Sequence, residues 1–293
     1  MKYKGRKQSS NIEDRRGGGG SRRKKGLIGG GGIIGVVIAI AIAYFSGGDI
    51  GSALTEGAGQ MINTQTQQSN QPVTETAQSA DRKEFISVVL KDTEDFWSKK
   101  FSEMGKTYQK PTLVLFSGNV TTDGCGSASA ASGPFYCPAD QKVYIDMSFY
   151  DVLSNRLGAK GDFAMAYVIA HEVGHHVQNL LGVSSQMQQA RQQLSKIEFN
   201  KLSVKQELQA DFYAGMFAEY EKNNKQVLDY GDIDEAIATA KQIGDDMLQM
   251  KSQGKVVPHA FTHGTSQQRM KWFKKGFNAN SLNDGNTFAL KNP

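Results

Sequence analysis

The pattern of apolar and polar residues separates a folded region, from about residue 81 onward, from a different N-terminal region. Apolar residues at helical spacing predict helices over 81–104, 148–157, 162–181, 186–199, 204–223, 232–250 and 267–277. Asp81 followed by Glu84 resembles a capping box at the start of the first helix. Two short β-branched and aliphatic runs predict strands over 112–116 and 143–147. The pattern therefore predicts an α+β domain over 81–293, mostly helical, with a small sheet.

The residues before this domain form three stretches of different composition. Residues 1–26 are rich in lysine and arginine and predict a solvated basic tail. Residues 27–45 carry no charge and would span roughly 28 Å as a helix, which predicts one transmembrane helix. Residues 46–80 include a polar, uncharged run over 60–72 and predict a flexible linker.

The basic tail decides the predicted orientation and the meaning of the net charge. By the positive-inside rule, the N-terminus would be cytoplasmic and the domain periplasmic or extracellular, on the inner or plasma membrane. A buried soluble helix or a cleaved signal peptide is less favoured over 27–45, given its glycines and its length. The formal charge of +5 comes from the tail, because residues 26–293 hold 24 basic and 27 acidic residues. The domain therefore shows no excess of positive charge that would indicate a nucleic-acid partner.

A five-residue motif in the helix predicted over 162–181 carries the candidate chemistry. His171 and His175 frame the pattern H-E-x-x-H, and residues four apart lie about 40° from each other on a helix face. Their imidazoles can therefore bind one Zn²⁺, and Glu172 can take a proton from a metal-bound water. Gly174 is expected to let this helix lie close to a neighbour. His176 would point about 100° away, which argues against its being a ligand.

A catalytic zinc usually has three protein ligands, and the helix predicted over 204–223 offers two candidates. Glu207 and Asp211 are four residues apart and share a face. One carboxylate can bind the metal while the other accepts the N–H of a ligand histidine. The spacing favours Glu207 as the ligand. An acidic pair on a solvated face is the alternative, and Ala214 and Gly215 on the same face argue for packing instead.

The chain has two cysteines, Cys125 and Cys137, in a loop of small residues predicted over 123–138. In an exported domain an isolated pair is expected to form a disulfide, which contributes about 3 kcal/mol in the chain-entropy model. Metal binding by these cysteines is the weaker alternative, because no C-x-x-C motif is present.

Taken together, these segments resemble those of a known family. They are Gly133 to Pro138, Val143 to Asp146, Ala170 to Val177, Glu207 to Gly215, and Thr262 to Ser266 with Arg269. The region from Asp81 to Phe277 is similar to the bacterial neutral zinc metallopeptidase family (YpfJ-like), of the glutamate-zincin type. This resemblance implies a zincin-like fold. It also implies zinc ligands at His171, His175 and Glu207, a general base at Glu172 and a supporting carboxylate at Asp211.

The function expected from these features is that of a membrane-anchored zinc endopeptidase, in which zinc-activated water attacks a peptide bond and Glu172 is the general base. His263, in a glycine-flanked turn, is the candidate donor to the oxyanion, with Tyr136 and Tyr144 as alternatives. The substrate would be a peptide or protein, which could add as an extra strand at 143–146.

Two other functions remain open. One is a zinc hydrolase that cleaves a non-protein amide of the cell envelope, and the other is an envelope adaptor that binds peptides without cleaving them. The presence of Glu172 argues against the adaptor, because binding alone needs no general base. The sequence indicates no oligomeric state.

Overall fold

The computed structural model describes residues 1–17 and 75–293, and its sheet draws on both parts. In chain order the strands are β1 (Ile12–Asp14), β2 (Thr112–Phe116), β3 (Asn119–Thr121), β4 (Ser127–Ser129), β5 (Phe135–Cys137) and β6 (Lys142–Asp146). The main sheet has the order β1-β2-β6-β5. Its β1–β2 and β2–β6 pairs are parallel and its β5–β6 pair is antiparallel. Strands β3 and β4 form a separate antiparallel pair.

Long helices pack around this sheet. They are α1 (Ala77–Glu103), α2 (Phe163–Leu180), α3 (Val183–Gln193), α4 (Lys196–Tyr220), α5 (Asp232–Gln242), α6 (Asp245–Gln253) and α7 (Ser266–Phe277). A helical turn at Phe149–Asp151 continues as a π-helix over Val152–Leu157, and α4 continues as a π-helix over Glu221–Lys225. Short 3₁₀ turns lie at Ala130–Ser132, Pro258–Ala260, Leu282–Gly285 and Thr287–Ala289. The predicted α+β class, mostly helical with a small sheet, is confirmed.

Helix α2 lies at the centre of the fold, and every residue from Phe163 to Gln178 is buried. A helix that is covered on all sides must find a partner on each face, and α4 covers one of them. A Cβ atom added at Gly174 would lie 3.2 Å from the Cα of Ala210 in α4. The expected close approach at Gly174 is confirmed, and it brings two polar helix faces within reach of each other.

Several predicted helix boundaries are wrong, each for a local or tertiary reason. Helix α1 begins after Thr76, whose side chain accepts from the N–H of Ser79, so Asp81 lies inside the helix. The break expected at 200–203 falls instead at Ser195, which forms a capping box with Glu198 at the start of α4. The helix expected over 232–250 divides at Gly244, where a Cβ would lie 2.3 Å from the backbone nitrogen of Ser266.

The region predicted as a loop over 123–138 is more ordered than the sequence indicated. It contains β4, β5 and a 3₁₀ turn, and β5 joins the main sheet beside β6. Cys125 and Cys137 form the predicted disulfide, with their Cα atoms 5.9 Å apart. The bond ties the short β3–β4 hairpin to β5.

Residues 1–17 are part of the folded unit, which makes the prediction of a solvated basic tail wrong for them. Strand β1 extends the sheet, with Ile12 paired to Leu113. Basic side chains of the segment meet acidic ones of the domain, as in the 2.9 Å contact between Arg6 and Asp92. Since these partners lie far away in sequence, the local excess of lysine and arginine was misleading.

The transmembrane helix predicted over 27–45, and most of the predicted linker, lie outside the described residues. Within 1–17 and 75–293, no helix is long and apolar enough to cross a membrane. Arg16 and Glu75, next to the two inner limits of the described ranges, lie 3.1 Å apart. Because both ranges contribute to one sheet, they must lie on the same side of any membrane. The predicted arrangement, with the tail in the cytoplasm and the domain outside, is therefore wrong for residues 1–17.

Candidate metal centre

Helices α2 and α4 bring the three predicted metal ligands together. The Nε2 atom of His171 lies 3.1 Å from one carboxylate oxygen of Glu207, and the Nε2 atom of His175 lies 3.4 Å from the other. One ligand atom from each of the three residues lies within 4.8 Å of the others, and all three side chains are buried. The two histidines share one face of α2 because they are four residues apart.

This geometry fits a zinc ion. Tetrahedral ligands at roughly 2.0–2.1 Å from zinc stand about 3.3 Å from one another. The observed distances of 3.1 and 3.4 Å between imidazole nitrogens and carboxylate oxygens are close to that value. Two imidazoles and one carboxylate are also a donor set of catalytic zinc sites. His171, His175 and Glu207 could therefore hold the metal.

Behind His171 lies a charged network centred on Asp211. Its Oδ1 atom is 2.8 Å from the Nδ1 atom of His171, and it accepts a 2.5 Å hydrogen bond from the Tyr167 hydroxyl. Arg269 donates to both carboxylate oxygens, at 2.8 and 2.9 Å. Asp211 thus lies where the sequence predicted a supporting carboxylate, and Arg269 compensates its buried charge.

Behind His175 lies a neutral network instead. The side-chain oxygen of Gln178 is 2.8 Å from the Nδ1 atom of His175. The side-chain nitrogen of Gln178 donates to the backbone carbonyl of Gln206 at 2.7 Å and to the side-chain oxygen of Gln209 at 3.1 Å. The two histidines are therefore supported by different chemistry.

At His171, Asp211 and Glu207, burial shifts the pKa in one direction and neighbouring charges shift it further in the opposite direction. Burial lowers the pKa of His171, but the carboxylates of Asp211 and Glu207 outweigh it and raise that pKa to about 9. Burial raises the pKa of Asp211, but Arg269 and His171 lower it to about 2. Burial also raises the pKa of Glu207, and the nearby imidazoles of His175 and His263 bring it well below its ordinary value. Both carboxylates are thus held in the ionised form, and for Glu207 this is the form that binds metal.

The metal centre lies in the wall of a cleft, whose volume is about 780 Å³ when the space open to solvent is included. Glu172 and His263 both line it, together with His171, His175, Glu207 and Arg269. The remaining wall is largely apolar: Pro134, Phe135, Phe149, Val152, Leu157, Val168, Ile243 and Leu248. The predicted general base and the predicted oxyanion donor therefore share one cavity with the metal centre.

His263 is held in place by Asp245, at the start of α6. The Nδ1 atom of His263 lies 3.0 Å from the Thr262 hydroxyl and 3.3 Å from a carboxylate oxygen of Asp245. Asp245 also accepts from the backbone N–H groups of Thr262, His263 and Gly264, at 2.7, 2.7 and 3.0 Å. Burial lowers the pKa of His263, and Glu207 and Asp245 together raise it above its ordinary value. One oxygen of Asp245 thus fixes the turn through three backbone hydrogen bonds, while the other faces the His263 ring.

The two tyrosines considered as alternative oxyanion donors lie elsewhere. The hydroxyl of Tyr136 is 3.0 Å from the Nδ1 atom of His176, whose Nε2 atom is 2.6 Å from the carbonyl of Gln109. The hydroxyl of Tyr144 donates to Asp140 at 2.6 Å. Neither tyrosine is among the residues that line the cleft. His176 is fully buried in this structural contact, and burial lowers its pKa to about 4.

A second group of carboxylates, Asp162, Asp232 and Glu235, lies close enough to hold an ion. The Met1 ammonium lies 2.8 Å from Asp162 and 3.3 Å from Asp232. Glu235 accepts the backbone N–H of Phe163 at 3.1 Å. These contacts already compensate the cluster, so we do not assign a metal to it.

Sequence reasoning missed three residues that orient the centre: Gln178, Tyr167 and Asp245. Gln178 could have been found, because it lies three residues after His175 and therefore on the same helix face. Tyr167 likewise precedes His171 by four residues. Asp245 gave no local signal, because it acts on a turn about twenty residues further along the chain.

Comparisons with known proteins show the family to which the chain belongs. Residues 1–288 match the model of the family described as "Putative neutral zinc metallopeptidase". The chain is 47% identical over 293 residues to "Uncharacterized protein YpfJ" of Escherichia coli K12, covering 99% of each. It is 44% identical over 192 residues to "Uncharacterized protein Rv2575" of Mycobacterium tuberculosis H37Rv, covering 62% of this chain and 64% of that one. Comparison with solved structures gave no significant match. The expected resemblance is thus confirmed over the whole chain, which belongs to the neutral zinc metallopeptidase family.

Proposed function

We propose that this protein is a zinc-dependent endopeptidase in which Glu172 is the general base. One observation carries the proposal: the ligand atoms of His171, His175 and Glu207 converge within 4.8 Å at a cleft that Glu172 also lines. Membership in the family supports zinc-dependent peptide hydrolysis as the reaction class.

When bound, zinc would lower the pKa of a coordinated water and polarise the substrate carbonyl. Glu172 lines the cleft together with His171, His175 and Glu207. It accepts the proton of the attacking water and delivers it to the leaving amine, as a general base and then a general acid. Much of the cleft wall is apolar, so a bound substrate would displace water from it and strengthen these electrostatic interactions.

His263 supplies a hydrogen bond to the oxyanion in this proposal. Its Nδ1 atom faces Asp245 and Thr262, which leaves Nε2 as the ring nitrogen available to a substrate. Nε2 donates in the imidazolium form, which Glu207 and Asp245 favour because they raise the pKa of His263 against the effect of burial. A donor fixed by buried partners before the reaction starts is the kind that lowers a barrier most.

An extended peptide would bind along β5. The strand predicted to receive it, over 143–146, corresponds to β6, which has neighbours on both sides and is not an edge. Among the described residues β5 is one of the two edges of the sheet, and Pro134 and Phe135 at its start line the cleft. On the side where β5 pairs with no described strand, its backbone groups would pair with a substrate, while the apolar wall would accept the substrate's side chains.

Glu172→Gln tests the proposal directly. The amide keeps the shape of the side chain but cannot take a proton, so we expect cleavage of a quenched unfolded protein substrate to fall by about 10²–10⁴-fold. Zinc content should stay equal to that of the wild type. Glu103→Gln is the matched control, because Glu103 is exposed at the end of α1, far from the cleft lining. Equal cleavage by wild type and Glu172→Gln, with equal zinc, would contradict the proposed mechanism.

The same assay separates the two other functions. A hydrolase of an envelope amide would leave the protein substrate uncut while releasing products from cell-wall fragments in a Glu172-dependent manner. A peptide-binding adaptor would bind the unfolded substrate and cleave neither material. Glu172-dependent cleavage of protein would contradict both.

The compartment is part of the proposal. The Cys125–Cys137 disulfide supports an oxidising location, because disulfides persist mainly in exported proteins. Attachment to a membrane through residues 27–45 rests on their apolar sequence alone. Any such attachment would have to leave residues 1–17 and 75–293 on one side.

A further inference from the structure

We propose that Gln178 is a positioning residue that holds His175 in the tautomer needed for metal binding. Gln178 is fully buried in α2, three residues after His175, and it has no role in the ligand set. The inference rests on the metal site of the proposed function but not on peptidase activity, so zinc binding alone can test it.

The direction of the Gln178 amide follows from its partners. The backbone carbonyl of Gln206 can only accept, and it lies 2.7 Å from one end of the amide, so that end must be the nitrogen. The oxygen end then faces the Nδ1 atom of His175 at 2.8 Å. An amide oxygen can only accept, so Nδ1 must carry the proton. The lone pair of a neutral His175 therefore lies on Nε2, the nitrogen that is 3.4 Å from Glu207.

A second amide fixes the first. The side-chain nitrogen of Gln209 donates to the backbone carbonyl of Gly285 at 3.0 Å, which orients its oxygen toward the nitrogen of Gln178 at 3.1 Å. Two backbone carbonyls, which can only accept, thus fix the direction of this series of hydrogen bonds. The 3₁₀ turn Leu282–Gly285 is connected in this way to the metal helix.

This arrangement matters because a neutral imidazole has two tautomers and only one presents a lone pair to the metal. Asp211 makes that selection for His171 through a charged acceptor. Gln178 makes it for His175 without adding a third negative charge beside Glu207 and Asp211. Partners of this kind typically account for about 10–100-fold in metal affinity.

Gln178→Met keeps the length of the side chain and removes the acceptor. In the full chain, we expect it to weaken zinc binding by about 10–100-fold, measured by competition with a chromophoric chelator. Gln192→Met is the matched control, because Gln192 is exposed on α3, and it should bind zinc as the wild type does. Thermal unfolding of each variant shows whether the fold itself has been weakened.

A spectroscopic readout separates positioning from a structural role. In ¹⁵N-histidine spectra of the zinc-loaded wild type, His175 should bind zinc through Nε2 and carry an exchange-protected proton on Nδ1. That protection should be lost in Gln178→Met. Zinc bound through Nδ1 of His175, or equal zinc affinity in wild type and Gln178→Met, would overturn the inference. A wild type that binds no zinc would instead refute the proposed function.

Discussion

Asp211, behind the metal centre, and Glu221, beneath the N-terminal segment, are both fully buried carboxylic acids. Burial raises the pKa of each, yet the final values differ greatly. Arg269 and His171 outweigh burial at Asp211 and lower its pKa to about 2. At Glu221 burial and the neighbouring Asp92 outweigh Arg6 and Lys225, and raise its pKa to about 8.

The difference lies in how closely each acid is paired. Arg269 donates two hydrogen bonds to Asp211, at 2.8 and 2.9 Å, and Tyr167 adds a third. The guanidinium of Arg6 is 3.9 Å from Glu221 and binds Asp92 more closely, at 2.9 Å. A fully paired acid stays ionised and can orient an imidazole, while an incompletely paired one retains its proton. The two clusters therefore predict different responses to mutation and to pH.

Asp211→Asn should have the largest effect on stability. It leaves the Arg269 guanidinium buried without a carboxylate, so we expect the free energy of unfolding to fall by about 3–5 kcal/mol. Urea unfolding in the presence of a chelator measures this change without any contribution from bound metal.

The double variant Asp211→Asn/Arg269→Met is the control for that prediction. With both charges removed, part of the lost stability should return, because no unpaired charge remains in the interior. If Asp211→Asn lowered the free energy of unfolding by less than about 1 kcal/mol, the prediction that the buried Arg269 needs the charge of Asp211 would be contradicted.

The metal centre could be predicted from the sequence because its residues come in pairs that are close together in the chain. His171 and His175, and likewise Glu207 and Asp211, are four residues apart, so helix periodicity alone aligns each pair. What joins the pairs is the close approach of α2 and α4 at Gly174, which the sequence indicated without naming the partner. The pairing of Arg269 with Asp211 joins residues far apart in the chain, and periodicity carries no information about it.

The fold was less predictable wherever a distant partner decides the outcome. The division at Gly244 depends on contact with Ser266, and the addition of β1 pairs Ile12 with Leu113. The basic tail was predicted wrongly for the same reason, since Asp92 and Asp81, which are distant in sequence, neutralise Arg6 and Lys4. Composition describes a segment alone, whereas its structure depends on what it packs against.

Glu221→Gln should have an intermediate effect that depends on pH. The unfolded pKa of a glutamate is near 4.5 and the folded value here is about 8, so the folded state retains a proton that the unfolded state loses. The stability of the wild type should therefore fall as pH rises from 4.5 to 8 and then level off. The variant should lack this slope and be more stable by on the order of 1–3 kcal/mol at pH 9. Urea unfolding from pH 5 to 9 measures both curves, and parallel curves would contradict the raised pKa.

Arg6→Met should have the smallest effect of the three, and it tests whether the N-terminal segment influences the acid pair. Arg6 lowers the pKa of both Asp92 and Glu221, so its removal should raise both values further. The folded state would then keep its proton to higher pH, and the fall in stability should extend beyond pH 8. At pH 7 we expect a loss of only about 1 kcal/mol, because the acids can bind a proton in place of the lost cation.

Lys4→Met, in the same segment, is the matched control for that loss. Lys4 is 62% exposed and pairs with Asp81 at the surface, so its removal should change stability little and leave the pH dependence as it was. If Arg6→Met and Lys4→Met gave the same curves, the cations of residues 1–17 would contribute only surface charge. A shift in Arg6→Met alone would mean that residues 1–17 set the charge of a buried cluster, as Arg269 does at the metal centre. The two clusters would then follow one rule, in which the closeness of the surrounding cations decides whether a buried acid is ionised.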